Sequence, residues 1–507
     1  MVASLLKVIS SGIQDERLYF KYTIYPFIKI WIKSGRFTTQ WGRLDFENVP
    51  TFGNTAFFRI LRKGHLVTRL FLVANMPDIY TPQRAAKQVS ANYQPTFGWT
   101  NSLGHALVEQ LTLDIAASRV ETIDSRLLEM LDEYNTPLEK VPVMNNLIKR
   151  KDNGFSETSF GHPPSYQSSQ PYYENVIVPL PFWFCRGDNG CALPIDAISM
   201  DEIRVGITFR NLNGLYYTDT HVANTSSAQG TSLWPIVGSS FYVGNPGTDP
   251  TNPSSAKINV PSMPPLQLGE CYILAEYVYL DQNEANRFRL ADLQIPVVQH
   301  YAMNPFQTRG LPTARIRLDI PNPTRDVFFM LNREEAPTYN AHFLATRDLT
   351  GNINTLPNGS KTPWWPDALG LYANRPSFLR PGFELSDSEP LQGYELDYQG
   401  SLVRFRTEGP ALFRSIITSY EQRKTPWVNR YYYNFPLGIQ NGFTPFSRPQ
   451  GEANLDKITN RDLVLYMKRS RDYNGGIIIP SYTAYVYAET YNMLRVYGGR
   501  AGLMFAY

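Results

Sequence analysis

Residues 52–73 read Phe-Gly-Asn-Thr-Ala-Phe-Phe-Arg-Ile-Leu-Arg-Lys-Gly-His-Leu-Val-Thr-Arg-Leu-Phe-Leu-Val, two apolar runs broken at Lys63-Gly64. Aromatic and β-branched runs separated by a Gly-containing break read as strands, and the spacing predicts a β-hairpin-like unit. Working outward, the same chemistry recurs. Val176-Ile-Val-Pro-Leu-Pro-Phe-Trp-Phe184 reads as a buried strand, Tyr272-Ile-Leu-Ala-Glu-Tyr-Val-Tyr-Leu280 alternates as a strand should, and Tyr482-Thr-Ala-Tyr-Val-Tyr-Ala488 leads toward a Gly498-Gly499 turn. Composition agrees: the 507 residues are 43% hydrophobic, 13% aromatic and only 18% charged, which excludes disorder. With 34 Gly and 38 Pro spread among the aromatics, short strands joined by turns fit better than helical bundles. One helix is expected, because Ser118-Arg-Val-Glu121 matches a capping box and Ile123, Leu127, Leu128 and Leu131 follow at helical spacing until Pro137.

Two stretches of loop composition stand out, 152–173 and 213–267, rich in Gly, Ser, Pro, Thr, Asn or Tyr. The second divides the chain into halves of a size typical for all-β domains, each reading as a β-sandwich, with the second half opening at Tyr272. A short ungapped match supports duplication. Ile195-Asp-Ala-Ile-Ser-Met-Asp-Glu-Ile-Arg-Val205 lines up with Leu455-Asp-Lys-Ile-Thr-Asn-Arg-Asp-Leu-Val-Leu465, near the end of each half.

A net charge of +3, from 48 basic and 45 acidic residues, is too balanced for counterion-release binding to a phosphate backbone. No apolar run reaches the roughly 20 residues a membrane-spanning helix needs, and Met1–Ser10 lacks the pattern of a secretory signal. Cys185, Cys191 and Cys271 read as free thiols, although the first two flank a turn and could face each other across a hairpin. The six histidines (65, 105, 162, 221, 300 and 342) are scattered singly, without metal-ligand spacing. No phosphate-binding loop or nucleophile elbow is present, and Gly498-Gly499-Arg-Ala-Gly502 reads as a hairpin turn. Carboxylates at Glu334-Glu335 and at Glu384, Asp387 and Glu389 supply the minimum a glycosidase needs, yet they sit in loop-like sequence that reads as solvated surface. Lys149-Arg150-Lys151 and Lys468-Arg469/Arg471 read as solvated faces or subunit contacts. Asn224 and Asn358 are sugar-acceptor sequons, and Arg186-Gly187-Asp188 reads as a turn rather than a receptor ligand.

Several blocks together resemble the double jelly-roll major capsid proteins of nucleocytoplasmic large DNA viruses. They are Phe52-Gly53 with Arg62-Lys-Gly-His-Leu-Val67, Asn101-Ser-Leu-Gly-His-Ala-Leu107, Pro179-Leu-Pro-Phe-Trp-Phe184 with Ala192-Leu-Pro194, and Arg204-Val-Gly-Ile-Thr-Phe209. In the second half they are Glu276-Tyr-Val-Tyr-Leu-Asp281 with Glu284, Arg287 and Phe288, then Asn434-Phe-Pro-Leu437, Asn454-Leu455, Tyr491-Asn-Met-Leu494 and 498–507. His65 departs from the family's usual acid, and Ile115-Ala-Ala-Ser118 from its usual Gly-Gly turn. The resemblance implies an all-β chain: an arm over 1–14, a first eight-stranded jelly roll over 15–212, a linker over 213–268 and a second jelly roll over 269–507. It implies a pseudo-hexagonal homotrimer tiling an icosahedral shell, with the loops 152–173, 213–267 and 332–397 outward or at trimer contacts. Implied partners are other copies of the chain, minor capsid and penton proteins and, indirectly at the arm, an inner viral membrane, without direct nucleic acid. Neither a catalytic residue, a cofactor nor a metal is implied, and the expected place is the virion, assembled in host cytoplasm. Three rivals remain, the first two being a carbohydrate-binding or glycoside-active sandwich, suggested by Trp364-Trp365 and the acidic loops, and a minor or penton-like relative. A polyanion-binding core protein is a third.

Overall fold

The computed structural model describes residues 36–78, 97–150 except 117, 174–218 except 188, 222–223, 231–232, 267–334, 340, 342, 343, 345, 389–398, 402–407, 409–420, 423–426, 430–439, 449–471 and 477–505. Sixteen strands carry the architecture. The first eight are β1 (Phe37–Leu44), β2 (Thr55–Arg59), β3 (Leu66–Met76), β4 (Val108–Ile115), β5 (Ser118–Asp124), β6 (Glu174–Pro179), β7 (Ile203–Phe209) and β8 (Cys271–Leu280). They form two antiparallel four-stranded sheets, in orders β1-β8-β3-β6 and β2-β7-β4-β5. The next eight are β9 (Leu293–Ala302), β10 (Thr313–Arg317), β11 (Pro323–Arg333), β12 (Leu391–Tyr398), β13 (Leu402–Thr407), β14 (Tyr432–Pro436), β15 (Asp462–Met467) and β16 (Tyr482–Tyr497). Their orders are β9-β16-β11-β14 and β10-β15-β12-β13, with short extra strands on the first path. Each strand of the second set takes the place of the strand eight earlier in the first. The chain is a duplicated double-sheet sandwich, and this order is that of a jelly roll.

The faint internal match has a structural counterpart, since Ile195–Val205 enters β7 and Leu455–Leu465 enters β15, the same position in the two sandwiches. In each, inward residues close the core between the sheets: Phe58, Leu72, Leu111 and Ile207 in the first, Phe329, Leu396, Tyr433 and Leu465 in the second, all nearly inaccessible.

Several expectations require correction. The Lys63-Gly64 break does not make a hairpin; β2 pairs with β7 while β3 pairs with β8 and β6, so the chain turns a corner between the two sheets there. Alternation marks residues as strand without saying which strand is the partner. Gly64 fits that corner because a Cβ would lie 3.0 Å from Tyr277 Cβ and 3.2 Å from the Val278 carbonyl. Cys271–Leu280, read as the start of the second half, lies between β1 and β3 and completes the first sandwich. The stretch 213–268 is therefore an insertion between β7 and β8. A polar insertion of that length has the composition of a linker, and only the pairing of β8 distinguishes the two. Ser118–Asp124 is a strand, not a helix start, because Val120 and Thr122 prefer the sheet that β4 offers. The helix α2 (Ser125–Asn135) begins after it, capped by Asp124 Oδ1 accepting from the Leu127 amide at 2.8 Å. The strand at Val176 ends at Pro179 and gives way to a short 3-10 turn, Trp183–Cys185.

Ala116 turns the β4–β5 corner with φ +54. A side chain in the left-handed region costs roughly 1–2 kcal/mol, and Gly removes that cost while adding freedom to the unfolded chain. Ala116→Gly is expected to stabilise the protein by about 1 kcal/mol, read as a rise in urea midpoint; a fall would contradict the strain.

Candidate functional site at the junction of the two sandwiches

The carboxylates singled out from the sequence do not assemble into a reaction centre among the described residues. Glu334 is exposed and accepts from Ser481 Oγ at 2.7 Å; Glu389 accepts from Tyr433 Oη at 3.1 Å and pairs with Arg414 at 3.3 Å. Glu335, Glu384, Asp387, Asn224, Asn358, Trp364, Trp365, Lys151, His162, His221 and Asp188 lie outside the described residues. The glycine turn is a hairpin between β16 and β17 (Arg500–Leu503). Gly499 has φ +81, and its missing Cβ leaves room for Ser199 Oγ, which would lie 2.4 Å from it. Cys185, Cys191 and Cys271 form no disulfide with one another, and Cys191 donates to the Pro296 carbonyl at 3.4 Å. No group of metal-ligating side chains occurs among the described residues.

Charge is concentrated instead where the two sandwiches meet, and the meeting is buried. From the first sandwich, β5 presents the Val120 carbonyl to the Gln299 amide and the Glu121 carboxylate to His300 of β9. Arg186 reaches Glu489 of β16 at 2.7 Å, and Glu489 also lies 3.6 Å from His300 and 3.5 Å from Arg423. Asp124, besides capping α2, accepts from Tyr487 Oη at 2.6 Å. Arg126 stacks 4.0 Å above the Tyr485 ring. At the far end of α2, Tyr134 packs on Phe328 with centroids 5.5 Å apart, and Asn135 accepts from Arg423, which also grips Asp326 at 2.7 Å.

A second cluster continues the seam. Arg150, assigned to a basic surface run by its neighbours in sequence, is buried with its guanidinium against Glu129 at 2.6 Å, beside Asp132 and 3.7 Å from Glu133. It follows α3 (Val141–Ile148), which Lys149 ends in a left-handed conformation with φ 58. Glu133 in turn meets Lys424 at 3.0 Å and Arg430, both from the second sandwich. His105, on the short helix α1 (Leu103–Leu107), lies 2.6 Å from Glu129. Sequence reasoning missed this site because its members come from ten segments, and no local spacing joins them.

Burial works against the charges of Glu133, Glu129, Glu489 and His300, and their partners outweigh it. Burial would raise Glu133, but Arg430, Arg150 and Lys424 bring it down to about 2. Glu129 is likewise lowered against burial by Arg150 and His105, and Glu489 is held well below the usual range by Arg186, His300 and Arg423. Burial would discharge His300, yet Glu121 and Glu489 raise it above its ordinary value. Asp124 goes the other way: its burial outweighs the Tyr487 hydrogen bond and raises it. The arrangement stores opposite charges in mutual contact, closed to solvent, which suits a rigid joint rather than turnover of a substrate.

The signs give a pH dependence. Glu129, Glu133 and Glu489 have lowered values, so their contribution is complete above the ordinary value of 4.5 and is lost as pH falls toward about 2 at Glu133. His300 is raised, so its contribution is complete below 6.5 and lost as pH climbs through its folded value. Urea midpoints are expected to decline on the acid side below 4.5, and His300→Gln is expected to flatten the alkaline decline; a variant with the same alkaline slope would contradict the His300 assignment.

Residues 27–281 match the family model described as the major capsid protein N-terminus. The major capsid protein of Rana tigrina ranavirus is 21% identical, with 89% of this chain and 86% of that protein covered. That of Pyramimonas orientalis virus is 22% identical with both chains covered in full. Among solved structures, a chain of the PBCV-1 virus capsid is 17% identical, covers 95% of this chain and 100% of its own, and has a TM-score of 0.65. The Faustovirus major capsid protein, 9% identical, covers 98% and 99% with a TM-score of 0.59.

Proposed function

Because the chain belongs to the major capsid protein family, a building block of an icosahedral virus shell, we propose that it works as a homotrimer whose six sandwiches make one pseudo-hexagonal tile. The observation that carries this reading is the duplication itself. Two sandwiches of identical strand order, joined by a buried ionic seam, give one chain two like wedges held at a fixed angle. Three such chains supply six wedges, and closed rings are the usual outcome of a repeated head-to-tail contact. Tiles in turn associate with one another in the lattice of the virion shell.

The finer parts of the reading are these. The tile is catalytically inert, and its partners beyond itself are minor capsid and penton proteins and, at 1–14, the inner membrane side, with assembly in host cytoplasm. The division between sandwiches falls after Leu280, with Gln282–Leu290 (α4) as the connector. Asn224 and Asn358 would carry sugar only if the chain met a glycosylating compartment. Light scattering tests the trimer: about 170 kDa, three times 57.8 kDa, is expected, and a stable monomer at micromolar concentration would count against it. A screen of glycoside substrates and glycans tests the rival sandwich function, and hydrolysis or saturable binding there would favour it.

A further inference from the structure

The junction inside the chain has a counterpart that is uncovered. Within the chain, β5 of the first sandwich covers β9 of the second, where Val297, Val298, Gln299 and His300 are all buried, while α2 lies on the neighbouring β16 and β11 through Arg126 on Tyr485 and Tyr134 on Phe328. Duplication places β13 where β5 stands, and β1, β8 and β3 where β9, β16 and β11 stand, so the counterpart of the sheet under α2 includes Trp41 of β1 packed on Phe71 of β3 with ring centroids 5.7 Å apart. After β13 comes a π-helical turn, Leu412–Ile417, running on as α5 (Thr418–Tyr420), in the place that α2 holds after β5. On this helical segment Leu412, Ile416 and Tyr420, spaced by four, are 46%, 50% and 72% exposed. On β1, whose outer edge has no strand partner among the described residues, Phe37 and Trp41 are 62% and 49% exposed. The two surfaces that would repeat the internal junction are thus both open and both apolar.

We propose that these surfaces are each other's partners in different copies: the Leu412/Ile416/Tyr420 face of one chain docks on the Phe37/Trp41 edge of the next. This rests on the trimer reading and names the contact that makes it. The contact is head-to-tail, so it leaves one donor face and one acceptor edge free on every open chain of copies and satisfies all of them only on closure. Contact of this kind also covers the free edge of β1, which otherwise invites uncontrolled strand pairing. It differs from the internal junction in chemistry, apolar where the other is ionic.

The test uses the full-length protein and two variants, Trp41→Asp and the double variant Ile416→Asp/Tyr420→Asp, with unchanged circular dichroism and melting as the check on folding. Each variant alone lacks one half of every junction and is expected at the 57.8 kDa chain mass. Mixed together they retain one intact pairing, and a dimer at twice that mass is expected. If the wild type is trimeric and either variant remains fully trimeric, or if the mixture yields no dimer, this assignment is wrong while the trimer stands. A monomeric wild type removes both.

Discussion

A Glu489→Ala variant is expected to lose about 3–5 kcal/mol of folding stability, the usual cost of removing one member of a buried ion pair and leaving its partners uncompensated. Glu489 is wholly inaccessible and stands between Arg186 of the first sandwich and His300 and Arg423 of the second. Its removal leaves two guanidiniums and an imidazolium facing one another in a dry joint, where water cannot screen them. Glu489→Gln keeps the size and a hydrogen-bonding group and is expected to fall between. Since the lost interaction is ionic, the gap between variant and wild type should narrow as pH falls through the range in which the wild-type carboxylates are protonated. Urea unfolding at pH 6 and pH 3 measures this. A loss below about 0.5 kcal/mol at pH 6, within the range of ordinary surface substitutions, would mean that the seam does not hold the sandwiches together.

Phe329→Ala tests the other source of rigidity, packing within a single sandwich. Phe329 is fully buried on β11, stacked on Tyr433 with centroids 4.8 Å apart and edge-on to Tyr394 at 5.4 Å. Truncating a buried aromatic removes its transfer free energy and leaves a cavity, together about 3–5 kcal/mol. For a domain of this size that corresponds to a fall of roughly 6–20 °C in melting temperature. The loss is expected to be the same at pH 6 and pH 4, unlike that of Glu489→Ala. Phe329→Leu, which keeps most of the volume, should recover the larger part. A pH-dependent loss would indicate that core and seam are one coupled unit.

The strands themselves were legible in the sequence, because enrichment in aliphatic, β-branched and aromatic residues is a local property. Leu66–Met76 and Tyr482–Tyr497 have it along most of their length. Their partners were not legible. The corner at Gly64 and the insertion before β8 depend on pairings that span up to about two hundred residues, and Cys271–Leu280 reads equally well as a first strand or a last one. The short match between Ile195–Val205 and Leu455–Leu465 was the one local trace of duplication, and it marks equivalent strands. The resemblance carried by blocks such as Asn101–Leu107 and Tyr491–Leu494 identified the family that the comparisons show. Nothing local announced the junction. Arg150 sits between two lysines and looks like surface, yet its carboxylate partners lie 18 and 21 residues away on α2. Glu121 looked like a helix cap because Ser118 precedes it by three, whereas the sheet claimed both residues and left the carboxylate for His300.

Electron microscopy of the purified protein tests the central claim most directly, namely that two like sandwiches fixed side by side close in threes. Class averages are expected to show a closed particle of three chains with six lobes of similar size around its rim. Averages dominated by separate two-lobed bodies, or by particles whose lobes vary in their relative angle, would contradict it.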